Sequence, residues 1–260
     1  MAPELPWYVT LYERDYHDLL APGGLRSPVD SEAYDRQTDE EAAFVATALE
    51  LSAGASVLDL CCGWGRHTVR LAQRGYAMTG LDLSPYHLDL ARSAATRASV
   101  DVDWIESDMR TIPRPDGSFD GVISMFTSFG YLDDAENQRV LDDVARVLVP
   151  GGKLLLDVLN RDGLAGSFRE RYWTRGEDEV IVLEQHGWDA TNGRLEVDWT
   201  VIDREGVRRA HHYAPRVYTL QELEVLLALA GMPVRAAFGG FDGRPLARDS
   251  RRLIVLAQKS

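Results

Sequence analysis

At 260 residues, 45% of them hydrophobic, the chain is long enough to bury a full core as one domain with an insertion. Its 41 acidic against 28 basic side chains, a formal net charge of −13, oppose binding to a phosphate backbone, and no run approaches the roughly 20 apolar residues of a membrane span. Two lysines, Lys153 and Lys259, leave almost no candidate for a Schiff-base or Tyr-x-x-x-Lys site, and the adjacent Cys61 and Cys62 cannot make a disulfide framework or a zinc site alone.

Residues 1–6 hold neither a basic region nor an apolar stretch for export, so the sequence reads as cytoplasmic. Tyr8, Tyr12 and Tyr16 then recur every four residues, so a helix over residues 7–20 shows one aromatic face, broken by Pro22-Gly23-Gly24. Residues 31–38 are polar and read as loop. Asp39-Glu40-Glu41 opens a helix to about residue 51, with acids where the helix dipole favours them and Phe44, Val45, Ala48 and Leu49 facing inward.

Val57, Leu58 and Leu60 form the nearly continuous apolar run of a strand buried on both faces. Gly63 and Gly65 follow, then a helix over residues 66–74 that stops at Gly75, and a second strand over 76–81 that ends in Asp82. Ser84-Pro85 supplies a cap and first-turn proline for a helix to about residue 98. Residues 102–105 and 119–125 are the third and fourth strands. Val140, Leu141, Val144, Val147 and Leu148 mark a helix over 133–148, and 153–158 make a fifth strand. This alternation defines an α/β fold with a parallel sheet.

Past residue 160 the pattern changes to antiparallel strands over 180–188, 195–203 and 207–218, separated by turns at Asn192-Gly193 and 203–206. On the last of these His212, Arg216 and Tyr218 are expected on one face, His211 and Tyr213 on the other. Thr219-Leu-Gln-Glu222 is a capping box opening a helix that ends at Gly231, and 234–238 and 253–257 supply two final strands.

A strand, a glycine turn, a helix and a second strand ending in an acid form a unit that binds a ribose-bearing cofactor, the acid accepting from the sugar hydroxyls. A dinucleotide turn wants a third small residue, and Thr68 stands there instead. The run Asp59-Leu-Cys-Cys-Gly63-Trp-Gly65 resembles motif I of the class I S-adenosylmethionine (SAM)-dependent methyltransferases, D/E-x-G-x-G-x-G, with Cys61 in place of the first glycine. Residues 146–152, Arg-Val-Leu-Val-Pro-Gly-Gly, resemble the R-V-L-x-P-G-G of the same family.

The resemblance covers residues 39–160 well and the C-terminal strand pair loosely. It implies a seven-stranded Rossmann-like sheet with helices on both faces, plus an antiparallel β insertion after the fifth strand. The implied domains are an N-terminal lid (1–38), a SAM-binding core (39–160 and 218–260) and an insertion (161–217) forming part of the substrate site. SAM is the implied cofactor and S-adenosylhomocysteine its product, with no metal. The expected cofactor-binding residues are Tyr16 of the lid, Asp59, Cys62, Gly63, Gly65, Asp82, Leu83, Met125, and the pair Asp108 and Met109 at the adenine.

In open α/β sheets ligands sit beyond the carboxyl ends of the strands, which places Phe126, Phe129 and Tyr131 beside the reacting methyl as an aromatic wall for a sulfonium. DNA amino-methyltransferases carry Asn/Asp-Pro-Pro-Tyr/Phe here and this chain does not, in agreement with its acidity. Tyr8 and Arg216 complete the expected substrate set, and His211 or His212 is the candidate base for an acceptor that must lose a proton. The tyrosines and the 126–131 loop also resemble antibiotic-tailoring N-methyltransferases of the lincosamide kind. The expectation is methyl transfer to nitrogen or oxygen of a small molecule, with no nucleic acid or membrane partner and the oligomeric state open; C-methylation of a small acid and a non-catalytic SAM-binding regulator are the alternatives.

Overall fold

The computed structural model describes residues 6–8, 31–175 and 180–260. In chain order these form α1 (Ser31–Leu49), β1 (Ser56–Leu60), α2 (Arg66–Gln73), β2 (Ala77–Asp82), α3 (Pro85–Ala98), β3 (Asp103–Glu106), β4 (Phe119–Ser124), α4 (Asp134–Val147), β5 (Leu148–Leu159), α5 (Arg161–Ser167), β6 (Arg171–Arg175), β7 (Ile181–Asp189), β8 (Arg194–Ile202), β9 (Arg208–Tyr213), α6 (Leu220–Leu229), β10 (Val234–Phe238) and β11 (Arg252–Gln258). Local chemistry sets several boundaries. Ser84 and Asp133 accept the backbone N–H groups of His87 and Glu136 as N-caps, and Thr219 with Glu222 closes a full capping box.

Seven strands lie in the order β10-β11-β5-β4-β1-β2-β3, parallel from β3 to β5 and antiparallel at β11 and β10. This is the seven-stranded α/β sheet expected. Its central strands are covered on both faces, which is why Val57, Leu58, Val122, Ile123, Leu154 to Leu156 and Leu253 to Val255 are all buried. Val45 and Leu49 of α1, Leu71 of α2, Met78, Ile123, Leu155 and Ile254 pack into one core. A second, antiparallel sheet has the order β6-β7-β8-β9. The chain divides into two compact units: residues 38–167 with 217–260, and residues 168–216 with the described part of 1–37.

Three local expectations are corrected. Residues 31–38 are helical, not loop, because the stretch holds no glycine or proline and Glu32 pairs with Arg36 one turn on at 3.7 Å. The strand expected over 207–218 ends at Tyr213, since Pro215 has no N–H to donate; its carbonyl instead accepts from Leu195 at 3.0 Å. Finally, α5 and the charged strand β6 were not read from the sequence.

Candidate functional site

β1 and β2 are parallel neighbours, Asp59 opposite Gly80 and Leu60 opposite Leu81, so their carboxyl ends open at one edge of the sheet. The turn leaving β1 is pinned to β2: Cys62 N–H donates to the Leu81 carbonyl at 3.0 Å and Gly63 N–H to Asp82 Oδ2 at 2.8 Å. The other Asp82 oxygen accepts Ser84 N–H at 2.9 Å. The carboxylate has about four acceptor sites and three N–H groups, of Gly63, Ser84 and Leu83, act on it, so Asp82, 9% exposed, retains capacity to accept from a sugar hydroxyl. Burial raises the Asp82 pKa, and the N–H groups of Ser84, Gly63 and Leu83 oppose that rise.

The two motif glycines serve different ends. Gly63 has φ 55 and nothing within 4 Å of where a Cβ would stand, so its backbone faces open space that a ligand can enter. Gly65 has φ 76, and a Cβ there would come within 2.9 Å of both Ala91 and Trp104, so this glycine lets α2 pack against α3 and β3. Cys61, where the family has glycine, takes the same left-handed conformation at φ 63. Burial, then the charges of Asp82 and Asp59, raise both half-buried thiols well above their ordinary range, which disfavours the thiolate.

Asp59 is buried at 2% exposure and accepts the Thr68 hydroxyl at 2.6 Å. Burial and the neighbouring Asp82 push its carboxyl up to about 7 despite that hydrogen bond. Asp108 follows β3 as expected, but both of its oxygens are gripped by Arg110, at 3.0 and 2.7 Å. Partial burial pushes this carboxyl up, and the Arg110 hydrogen bonds and charge outweigh it, holding it below the ordinary range. Met109 is half-buried beside it, Leu83 is 38% exposed and Met125 is buried.

The structure does not form a continuous aromatic wall after β4. Phe129 is a core residue, 2% exposed with its ring 5.7 Å from that of Tyr218, and so presents no face to a ligand. Phe126 is 42% exposed, but the guanidiniums of Arg66 and Arg252 each lie 5.2 Å from its ring centroid. Tyr131 is half-buried.

Tyr16 lies outside the described residues. Tyr8 is half-buried and meets Trp7 edge-on at 5.7 Å, and Trp7 in turn lies 6.0 Å from Tyr213. Because β9 ends at Tyr213, the expected shared face of His212, Arg216 and Tyr218 does not exist. Arg216 bridges to Arg194 and reaches the Gly193 carbonyl at 3.5 Å, while Tyr218 is buried with its hydroxyl between Asn137 and Asp134, 2.9 Å from each. His212 is exposed between Asp198 at 2.8 Å and Glu196 at 3.2 Å, and His211 lies opposite Trp199 in the sheet.

A pair passed over in the sequence is His186 with Glu184, 3.1 Å apart on the inner face of β7, where the carboxylate is 3% exposed. Its signal is period-2 alternation, Val182, Glu184 and His186 sharing a face, with an acid standing in an apolar position. Among the described residues no group of three or more His, Cys, Asp or Glu is arranged to hold a metal, and no helix is long and apolar enough to cross a membrane.

Comparison with known proteins agrees with this geometry. A family described as a methyltransferase domain matches residues 57–152. The putative methyltransferase YqeM of Bacillus subtilis (strain 168) is 29% identical over 208 residues, 78% of this chain and 84% of that protein. The CcbJ methyltransferase from Streptomyces caelestis has a TM-score of 0.77 at 23% identity, over 86% of this chain and 90% of that one. SAM-bound CalS10, an amino pentose methyltransferase from Micromonospora echinaspora involved in calicheamicin biosynthesis, has a TM-score of 0.65 at 24% identity, over 88% and 93%. The sheet order and the helices flanking it give the Rossmann-like fold of these solved methyltransferases. With residues 57–152 carrying a methyltransferase domain, the chain is a SAM-dependent methyltransferase, which sets aside the non-catalytic alternative.

Proposed function

We propose that the enzyme methylates a nitrogen of a small, cationic acceptor, with hydroxyl oxygen as the second acceptor type. The observation that carries the acceptor class is the formal charge of −13, which attracts protonated amines over long range and repels anionic polymers. An amino pentose as the acceptor of CalS10 is in keeping with it. When bound, SAM supplies an activated methyl group and leaves as S-adenosylhomocysteine.

The chain's own part is to hold and orient. In this reading the Gly63 backbone admits the amino-acid tail, Asp82 accepts from the ribose hydroxyls, and Leu83, Met109 and Asp108 surround the adenine, Asp108 sharing its oxygens with Arg110. Cys62 and Met125 border the same cradle. A protonated amine must first give up one proton to water or a base such as His211 or His212; the freed lone pair then attacks the methyl carbon as the C–S bond breaks, and positioning and water exclusion supply most of the rate. We assign acceptor selection to the 126–131 loop.

The oxygen reading is kept because two histidines sit against carboxylates, His212 with Asp198 and Glu196, and His186 with Glu184, which suits an imidazole to collecting a hydroxyl proton. A labelled-methyl transfer screen against amines, hydroxylated metabolites and carboxylates separates the readings. Labelling of amines supports nitrogen transfer; labelling confined to hydroxyls transfers the assignment to oxygen, and labelling confined to carboxylates or carbon removes both.

A further inference from the structure

Phe126 and Thr127, just past the end of β4, both take left-handed backbone conformations, with φ 58 and 67. Neither is glycine, and for the β-branched Thr127 this region is a genuine outlier, so the surroundings must hold the turn in place. They do so through one residue of β5. The Asp157 carboxylate accepts Phe126 N–H at 2.8 Å, and the Asp157 backbone carbonyl accepts Thr127 N–H at 3.0 Å. That carboxylate is fully buried, and it meets Arg252 Nη1 of β11 at 2.9 and 2.6 Å. Burial raises the Asp157 carboxyl and Arg252 opposes the rise.

The same guanidinium lies 5.2 Å from the Phe126 ring and 5.1 Å from the Phe241 ring. Arg66, the residue immediately after the cofactor turn at Gly65, reaches the Phe126 ring from α2, also at 5.2 Å, while its own charge is met by the buried Glu41. The left-handed turn is therefore tied by its backbone to β5, by its ring to β11, and by its ring to the helix that starts at the glycine motif.

We propose that Asp157 and Arg252 are positioning residues for methyl transfer, locking Phe126-Thr127 in its left-handed turn so that the loop after β4 forms a fixed wall at the reactive end of the cofactor site. The inference rests on the proposed function for the location of that end. A purely structural ion pair would be spent on stability alone. A positioning clamp also sets the surroundings of the methyl group, and misplacement by about 1 Å costs on the order of 100-fold in rate.

The test uses SAM with a carbon-13 methyl as the probe, read by NMR, with affinity read by calorimetry. In the wild-type chain the bound methyl resonance is displaced from that of free SAM. Asp157→Asn moves it back towards the free position while the Kd for SAM stays within about threefold, and with an acceptor from the transfer screen kcat falls on the order of 100-fold. Thr127→Gly in the Asp157→Asn background removes the left-handed cost at one of the two turn residues and moves the resonance part of the way back towards the wild-type position.

Arg252→Lys keeps the charge but not the planar fork, and gives a smaller shift in the same direction. Should Asp157→Asn fail to fold, the Arg252→Lys pair with and without Thr127→Gly is read in its place. An unmoved resonance in the folded variant, or no movement back on adding Thr127→Gly, overturns the clamp while leaving the cofactor reading standing. A wild type that binds no SAM overturns both.

Discussion

Thr68 donates its hydroxyl to the Asp59 carboxylate at 2.6 Å, tying the first turn of α2 back to the end of β1. The β-branched side chain that argues against a dinucleotide turn therefore has a partner of its own, a carboxyl raised by burial and by Asp82 to about 7. One residue before Thr68, His67 is buried against Glu41 at 2.8 Å, and burial with the Arg66 charge lowers it to about 4.

These two groups give opposite pH dependences. The folded-state pKa of Asp59 is raised from 3.8, so the stability it lends is present at low pH and is lost as pH rises to about 7. His67 is lowered from 6.5, so its contribution is present above 6.5 and is lost as pH falls to about 4. Each slope is at most about 1.4 kcal/mol per pH unit, and they offset one another where they overlap. Urea midpoints across that window test this: relative to wild type, Asp59→Asn gains stability as pH rises and His67→Gln gains as pH falls. Parallel curves for all three proteins would refute the assignment.

The glycines of the turn separate packing from binding. Gly65→Ala forces a Cβ against Trp104 and Ala91 in a left-handed backbone and is expected to cost about 2–4 kcal/mol of stability. Gly63→Ala meets no neighbour and is expected to cost about 1 kcal/mol, yet to weaken SAM at least about tenfold by filling the cradle. Urea unfolding alongside calorimetry shows whether the two losses divide this way.

Tyr218 links Asn137 and Asp134 from a fully buried site. Tyr218→Phe removes the hydroxyl from that pair and is expected to lower stability by about 1–2 kcal/mol without changing SAM affinity. A loss of SAM binding at unchanged melting temperature would instead give this tyrosine a part in ligand binding.

Cys61 and Cys62 are the chain's two thiols, and both are raised well above 9 by burial and nearby acids. A chromogenic disulfide reagent at neutral pH is expected to react slowly with the folded protein and rapidly in urea. Fast labelling of the folded protein would show an activated thiol.

The parts legible in the sequence are those with local causes. The capping box at Thr219 and Glu222, the proline and serine before α3, and the strand-turn-strand around Asp59 and Asp82 each declare themselves within a few residues. What escaped depends on distant partners. Asp157 sits inside an apolar strand and looks out of place until Arg252, 95 residues away, meets it. The short strand β6 carries two arginines and becomes a strand only by pairing with β7, Tyr172 opposite Glu184. The early end of β9 was visible in principle, because Pro215 cannot sit inside a paired strand.

Calorimetric titration of SAM into the wild type and into Asp82→Ala tests the central claim most directly. A saturable 1:1 heat in the wild type, with Kd weakened by at least about tenfold in the variant, is the expected result, corresponding to the loss of about 1.4 kcal/mol of sugar recognition. Equal affinity in the two proteins would contradict the ribose assignment, and no heat in the wild type would contradict the cofactor site itself.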